Sequence, residues 1–325
     1  MPITQLQAVG FEQESTYGVF ASPTTFMPVS SADVGTTQKI TRPTIRAAHR
    51  GQKRDERIGI ETGVSISADL YPEQFTALIA GAFGNGSDDN VSGSSGAGYT
   101  HALELANTLP SFSVEIANDW DSQLLSRQIV GCMVDQFTVR GSAQNLLGFE
   151  AQLIGQAERT PATPGLPSFA TPTYADVDPM DFSTVAMTYN SGAEPDLLDF
   201  NYSLQNGVQR VFTANQELYV ARLVPTMRTV TLSASFDFVD LTQFVDWRDQ
   251  AIREVTIAAS GDTMTGTSNP YVVSATFRRL RAQDQFDLND ANSVLTAALT
   301  FSATVGQNAD EFEMTVVNLE SGALV

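Results

Sequence analysis

Residues 57–70 read Arg-Ile-Gly-Ile-Glu-Thr-Gly-Val-Ser-Ile-Ser-Ala-Asp-Leu, and from Ile60 the stretch separates into two sets. Ile60, Thr62, Val64, Ile66, Ala68 and Leu70 form one; Glu61, Gly63, Ser65, Ser67 and Asp69 form the other. Successive side chains of a strand point to opposite faces, so the segment predicts a long strand with one core face and one wet face. The pattern returns in residues 228–238, where Val230, Leu232, Ala234, Phe236 and Phe238 oppose Thr229, Thr231, Ser233, Ser235 and Asp237. It returns again in residues 295–305, where Leu295, Ala297, Leu299, Phe301, Ala303 and Val305 oppose Thr296, Thr300, Ser302 and Thr304. Further strands are predicted at 111–116, 129–140, 147–154 (carrying Glu150), 255–259 and 271–280. A mainly β chain follows.

Each of the first two strands runs into a short predicted helix. Pro72 opens the sequence PEQFTALIAGAFG, and proline suits a first helical turn because its missing N–H would be unpaired there. Phe75, Leu78, Ile79 and Phe83 then share a face. After Phe238, Asp240 is placed to cap a helix whose apolar stripe is Leu241, Phe244, Val245 and Ile252. The order strand, helix, short strand, strand, strand thus runs through residues 57–154 and again through 227–305, with Ser67-Ala68-Asp69-Leu70 on Ser235-Phe236-Asp237-Phe238 and Gln74-Phe75 on Gln243-Phe244. A duplication is the expectation.

Two stretches punctuate the pattern. Residues 85–98, NGSDDNVSGSSGAG, read as a long Gly/Ser loop within a domain. Residues 160–179 carry Pro161, Pro164, Pro167, Pro172 and Pro179 and read as a linker, dividing the chain into domains at 1–159 and 180–325.

The 325 residues suit two domains, and 42% hydrophobic against 17% charged residues describes a core-forming chain. The 37 acidic against 18 basic residues leave a net charge of −19, which argues against a general nucleic-acid binder and against docking on an anionic membrane. The longest nearly apolar run, Phe75 to Phe83, is too short to cross a bilayer. Six of the 18 cations, Arg42, Arg46, Arg50, Lys53, Arg54 and Arg57, fall within sixteen positions and predict a protruding basic loop suited to an acidic partner, most simply another copy of the chain.

The wet faces carry Ser, Thr and a few acids in place of the Lys and Glu usual on solvated strands. A closed ring of such sheets would present an inner wall of hydroxyls and carboxylates; a monomeric sandwich with a Ser/Thr-rich face fits the pattern equally. Catalytic signatures are absent: GxSxG, HExxH, GxxxxGK[ST], CxxC and GxGxxG do not occur. His49 and His101 are expected at the surface, and Cys132 as a buried small hydrophobe. Asp88-Asp89 lacks the spacing of an EF-hand loop, and Asp119-Trp120-Asp121 forms an acidic–aromatic turn of the kind that binds sugar. No cofactor and no enzymatic activity are expected.

The opening GFEQESTYGVFASPTTFMPVSS, followed by ITRPTIRAAHRG, resembles the N-terminus of tail tube (major tail) proteins of long-tailed bacteriophages. LYPEQFTALIAGAFG, TLPSFSVEIAND and IVGCMVDQFTVRGSA resemble the same family's helix and following strands. The likeness is clearest over residues 10–155. It implies two tandem tail-tube-like β-sandwich or barrel domains, each with one flanking helix, in a virion protein made in the host cytoplasm. It implies rings stacked into a hollow tube, with other tail proteins at the ends and genomic DNA passing through unbound. A duplicated chain would form homotrimers of pseudo-sixfold symmetry, without membrane insertion. Lumen-facing candidates are then Glu61, Ser65, Ser67, Asp69, Glu150, Thr229, Thr231, Ser233, Ser235, Asp237, Thr300, Ser302 and Thr304; the six cations are candidates for contacts between rings. The alternative is a surface adhesin or carbohydrate-binding sandwich.

Overall fold

The structure, a computed structural model, describes residues 7–41, 55–90, 98–120, 123–159, 172–193, 197–214, 218–237, 241–291, 294–303 and 311–320. The first half contains β1 (Gln7–Gln13), β2 (Thr25–Met27), β3 (Ser31–Thr41), β4 (Glu56–Asp69), α1 (Thr76–Phe83), β5 (Gly84–Asn90), β6 (Tyr99–Leu105), β7 (Phe112–Trp120), β8 (Gln123–Ser142), β9 (Gly148–Gly155) and β10 (Ala157–Arg159). The second contains β11 (Val185–Tyr189), β12 (Gly192–Ala193), β13 (Leu197–Gln205), β14 (Gln209–Val211), β15 (Arg222–Val224), β16 (Thr229–Asp237), α2 (Thr242–Arg248), β17 (Ile252–Thr263), β18 (Pro270–Ala291), β19 (Val294–Ala303) and β20 (Phe312–Asn318). The chain is mainly β with two short helices, and its strand pairs are antiparallel.

The two halves share a wiring plan. In the first, β3 pairs with β4, β4 with β9, and β9 with β8. In the second, β13 pairs with β16, β16 with β19, and β19 with β18. Four further pairs match too: β1–β2 and β11–β12, β1–β7 and β11–β17, β7–β8 and β17–β18, β10–β8 and β20–β18, while β5–β6 and β14–β15 have no counterpart. β8 and β18 serve two layers, their first parts pairing with one set of strands and their later parts with another. A strand that turns such a corner needs an irregularity. β8 has one at Gly131, at φ +62°, and a register shift between Val134 and Gln136; β18 shifts between Gln283 and Asp287.

Two pairings lie outside that plan and join the halves. β13 lies against β8 from Asp199↔Ser142 to Gln205↔Gln136, so the four-strand layers fuse into one eight-strand sheet, β3-β4-β9-β8-β13-β16-β19-β18. β20 pairs with β6, tying the C-terminal strand to the first half. One apolar cluster runs through both halves, with Val64, Ile66, Phe137 and Phe149 joined to Tyr202, Leu232, Phe277 and Phe312.

Local expectations were corrected in three places. α1 starts at Thr76, after a turn; Pro72 is not its first residue, and the N-cap position is Phe75. Residues 84–90 form β5 and pair with β6, where the Gly/Ser composition predicted loop, and 91–97 lie outside the described residues. His101 is fully buried, with Nε2 2.7 Å from Asn318 Oδ1. Of the predicted linker, residues 160–171 lie outside the described residues; just past its end, Met180 is buried and bridges Leu70 and Leu147 through backbone hydrogen bonds. Cys132 is buried as expected, and burial pushes its thiol pKa well up. His49 and Asp240 are outside the described residues.

Candidate functional site

Because facing residues of paired strands share a face, the registers place the polar sets of both halves on one surface. One row across the eight-strand sheet reads Ser31, Ser67, Glu150, Thr138, Ser203, Thr231, Ser302 and Arg281. The row beside it reads Asp69, Gly148, Arg140, Asn201, Ser233, Thr300 and Gln283. A third reads Asp33, Ser65, Gln152, Gln136, Gln205 and Thr229. Glu61 faces Thr37, Ser235 faces Asp199, and Asp237 faces Thr296. Twelve of the thirteen residues singled out in the sequence therefore fall on one surface; Thr304 lies outside the described residues. The opposite face of the same strands is core: Val64, Ile66, Ala68, Phe200, Tyr202, Leu232 and Phe236 are buried.

The wall is bonded to itself. Ser203 and Thr231 hydroxyls lie 2.8 Å apart, Ser235 Oγ donates to Asp199 Oδ1 at 3.1 Å, and Ser233 meets Thr300 at 3.4 Å. Two of its cations sit beside carboxylates: Arg140 Nη1 is 2.8 Å from Glu150 Oε1, and Lys39 pairs with Glu61. Such pairs are worth little to stability when solvated, but each neutralises a positive charge that would otherwise face outward from the wall. A hollow of about 520 Å³ at one end is lined by Ser67, Asp69, Arg140, Asn145, Gly148 and Asn201. These residues bring no histidine or cysteine together with a base. Among the described residues, no cluster of three His, Cys, Asp or Glu side chains is arranged for a metal.

Sequence reasoning missed the middle of this surface. β13 was not predicted, although Phe200, Tyr202 and Leu204 alternate with Asp199, Asn201, Ser203 and Gln205; that period was the available signal. Of the six cations, Arg57 is exposed on β4 opposite Ile40, and the other five lie outside the described residues. The acidic–aromatic turn and Asp88-Asp89 are placed only as β7 and β5 backbone.

The N-terminal motif Glu14-Ser15-Thr16-Tyr17-Gly18 has a structural role. The buried Glu14 carboxylate accepts from Ser111 Oγ (2.8 Å), Ser113 Oγ (2.9 Å), Gly131 N (2.8 Å) and Gly18 N (2.7 Å). Tyr17 reaches the second half, its hydroxyl accepting from Leu223 N at 3.1 Å, and burial pushes its pKa up to about 12. The motif therefore locks the arm, the bend of β8 and the β14–β15 hairpin together.

No helix of the described residues is long and apolar enough to cross a membrane. A family model described as phage tail tube protein matches residues 4–313. Comparison with curated protein sequences gives no match.

Proposed function

The chain belongs to the phage tail tube protein family, and from that premise we propose that three copies close into a ring whose bore is the polar wall, rings stacking into a conduit for the genome. A structural component of a viral tail follows from family membership; the ring number, the bore and the passage of DNA are the proposal, as is the tandem duplication behind them. The chain is made in the host cytoplasm and acts in the virion as a conduit without catalysis.

The continuous eight-strand wall carries the reading. At about 4.8 Å per strand it supplies ~38 Å of perimeter per chain. Three chains give roughly 115 Å of perimeter and ~37 Å across, or a bore of ~27 Å once side chains ~5 Å deep are subtracted. Two chains leave ~14 Å before strand tilt is counted. A B-form duplex, with grooves ~8.5 and ~7.5 Å deep, is on the order of 20 Å wide, so three copies admit it with clearance. Both sheet edges are available for closure: β3 pairs only with β4 among the described residues, and β18 beyond Arg281 pairs only with β19. Open edges of this length invite another strand.

A duplex sliding past phosphate-binding groups would stick, and hydroxyls, amides and neutralised cations avoid that. Replacing Asp69 and Asp237 together by Lys leaves rings intact and slows genome delivery, measured by electron microscopy of particles and by DNA release after triggering. Normal delivery through intact tubes, or purified protein that forms no rings, overturns the reading. The basic loop at 42–57 is proposed to hold one ring against the next. Replacing Arg46, Arg50 and Arg54 by Glu then blocks stacking and leaves single rings.

A further inference from the structure

The two helices occupy matching places in the wiring, yet one is covered and the other is bare. All of α1 except Ala77 is buried, whereas α2 buries only Asp246. Leu241 is 62% exposed, Val245 36% and Ile252 38%. With Gln74-Phe75 laid on Gln243-Phe244, Leu241 and Val245 fall on Pro72 and Thr76, while Ile252 lies just beyond α2 at the start of β17. Pro72 and Thr76 are buried, as is Phe83 of α1, and all three are touched by the same element of the second half, β20. Asn318 Nδ2 donates to Pro72 O (3.0 Å) and Thr76 Oγ1 (2.9 Å), and the Phe312 ring lies 5.1 Å from Phe83. What covers α1 is thus the next repeat along the chain.

Within the ring reading above, on which this inference rests, the repeat that follows the second half is the first half of another copy. We infer that the exposed face of Leu241, Val245 and Ile252 is a docking surface for the first half of a second copy of this chain. The counterpart of β20 there is β10, since each lies antiparallel on the first part of its long strand. Beside β10 runs the N-terminal segment, where Val19 is 58% exposed and Phe20 lies under Arg159, 4.8 Å from guanidinium to ring. The occupant therefore brings an apolar side chain to an apolar face. Such a junction is heterologous and closes by rotation. Its contacts are apolar, so salt does not weaken them, in contrast to the stacking contacts of the basic loop.

The test uses the full chain, followed by sedimentation and negative-stain microscopy across protein concentration. Replacing Leu241 and Val245 by Asp puts two carboxylates on a surface that is already solvated, so the thermal melt of the monomer stays unchanged. The concentration at which rings appear rises by about tenfold or more. Rings of unmodified protein form equally at low and high salt, whatever becomes of their stacking. Val245→Cys with Val19→Cys gives, on oxidation, chains linked up to closed trimers. If unmodified protein forms rings and the double Asp variant forms them at the same concentration, or the cysteine pair never links, the docking surface is overturned while the ring reading stands. If unmodified protein forms no ring at any concentration, both fall together.

Discussion

α1 and α2 sit at the same step of the same wiring, and they are held by different forces. α1 is an apolar rod: Phe75 packs at a tilt on Phe149, Phe83 packs on Phe137 and Phe312, and Gly81 leaves room where a side chain would strike the Phe112 ring. α2 is pinned by charge. Its one buried residue, Asp246, accepts from Arg253 Nε at 2.8 Å and Nη2 at 2.6 Å and from the Tyr189 hydroxyl at 3.0 Å. Burial, then the Asp246 carboxylate, pushes the Tyr189 pKa up. An apolar helix needs a covering layer, and α1 has one in the second half. A helix tied by an ion pair can remain in place before any cover arrives, which is what the second half of the proposed ring-forming chain requires.

The comparison predicts unequal costs for truncations at the two helices in the isolated chain. Phe83→Ala opens the junction core and should cost about 3–5 kcal/mol, whereas Ile252→Ala, just beyond α2, should cost well under ~1 kcal/mol, both read by urea denaturation. Equal losses would break the comparison. Asp246→Ala comes next. It leaves Arg253 and Tyr189 without their acceptor and should cost about 2–3 kcal/mol. Ala77 fills the aligned place in α1, so no polar network is available there to lose.

The smallest effect sharpens the contrast between β10 and β20. β20 is held by burial of Phe312, Met314 and Val316. β10 relies on Glu158, which accepts from Arg127 Nε and Nη2, both at 2.7 Å, and from Thr36 Oγ1 at 2.6 Å. Hydrogen bonding from Arg127 holds the Glu158 pKa below its ordinary value. The stabilisation is therefore complete above the ordinary carboxylate range and is lost as pH falls through the lowered one. Glu158→Gln should cost ~1 kcal/mol at neutral pH, the pair being partly solvated, and the gap should close in acid as pH falls through the lowered Glu158 pKa. A gap that persists in acid would show that the side chain acts by packing alone.

Alternation made the faces legible. Residues 60–70, 229–237 and 297–303 lie as their periods require, and both helices follow the strands that were expected to feed them. What stayed hidden was pairing between distant segments. The β8–β13 ladder joins residues more than fifty positions apart, and neither strand carries a local mark of its partner. His101 looked like a surface residue because its partner, Asn318, lies at the other end of the chain. The Gly/Ser stretch after α1 reads as loop by composition, yet Gly84–Asn90 pairs with β6, and β6 in turn has a neighbour in β20. The polar wall was visible strand by strand. Its continuity was not, because continuity depends on β13.

That β8–β13 ladder also bears on how an assembly would start. When two repeats share one chain, every second junction around a ring is already made, and its two sides meet at an effective concentration set by the connecting segment. In the proposed three-chain ring, two encounters between molecules and one closure complete the ring, where six separate repeats would need five encounters. Each encounter is bimolecular, so the dependence of ring formation on protein concentration is correspondingly less steep. A chain built this way can begin a ring at lower abundance than unlinked repeats could, and a half-built ring has fewer junctions through which to come apart.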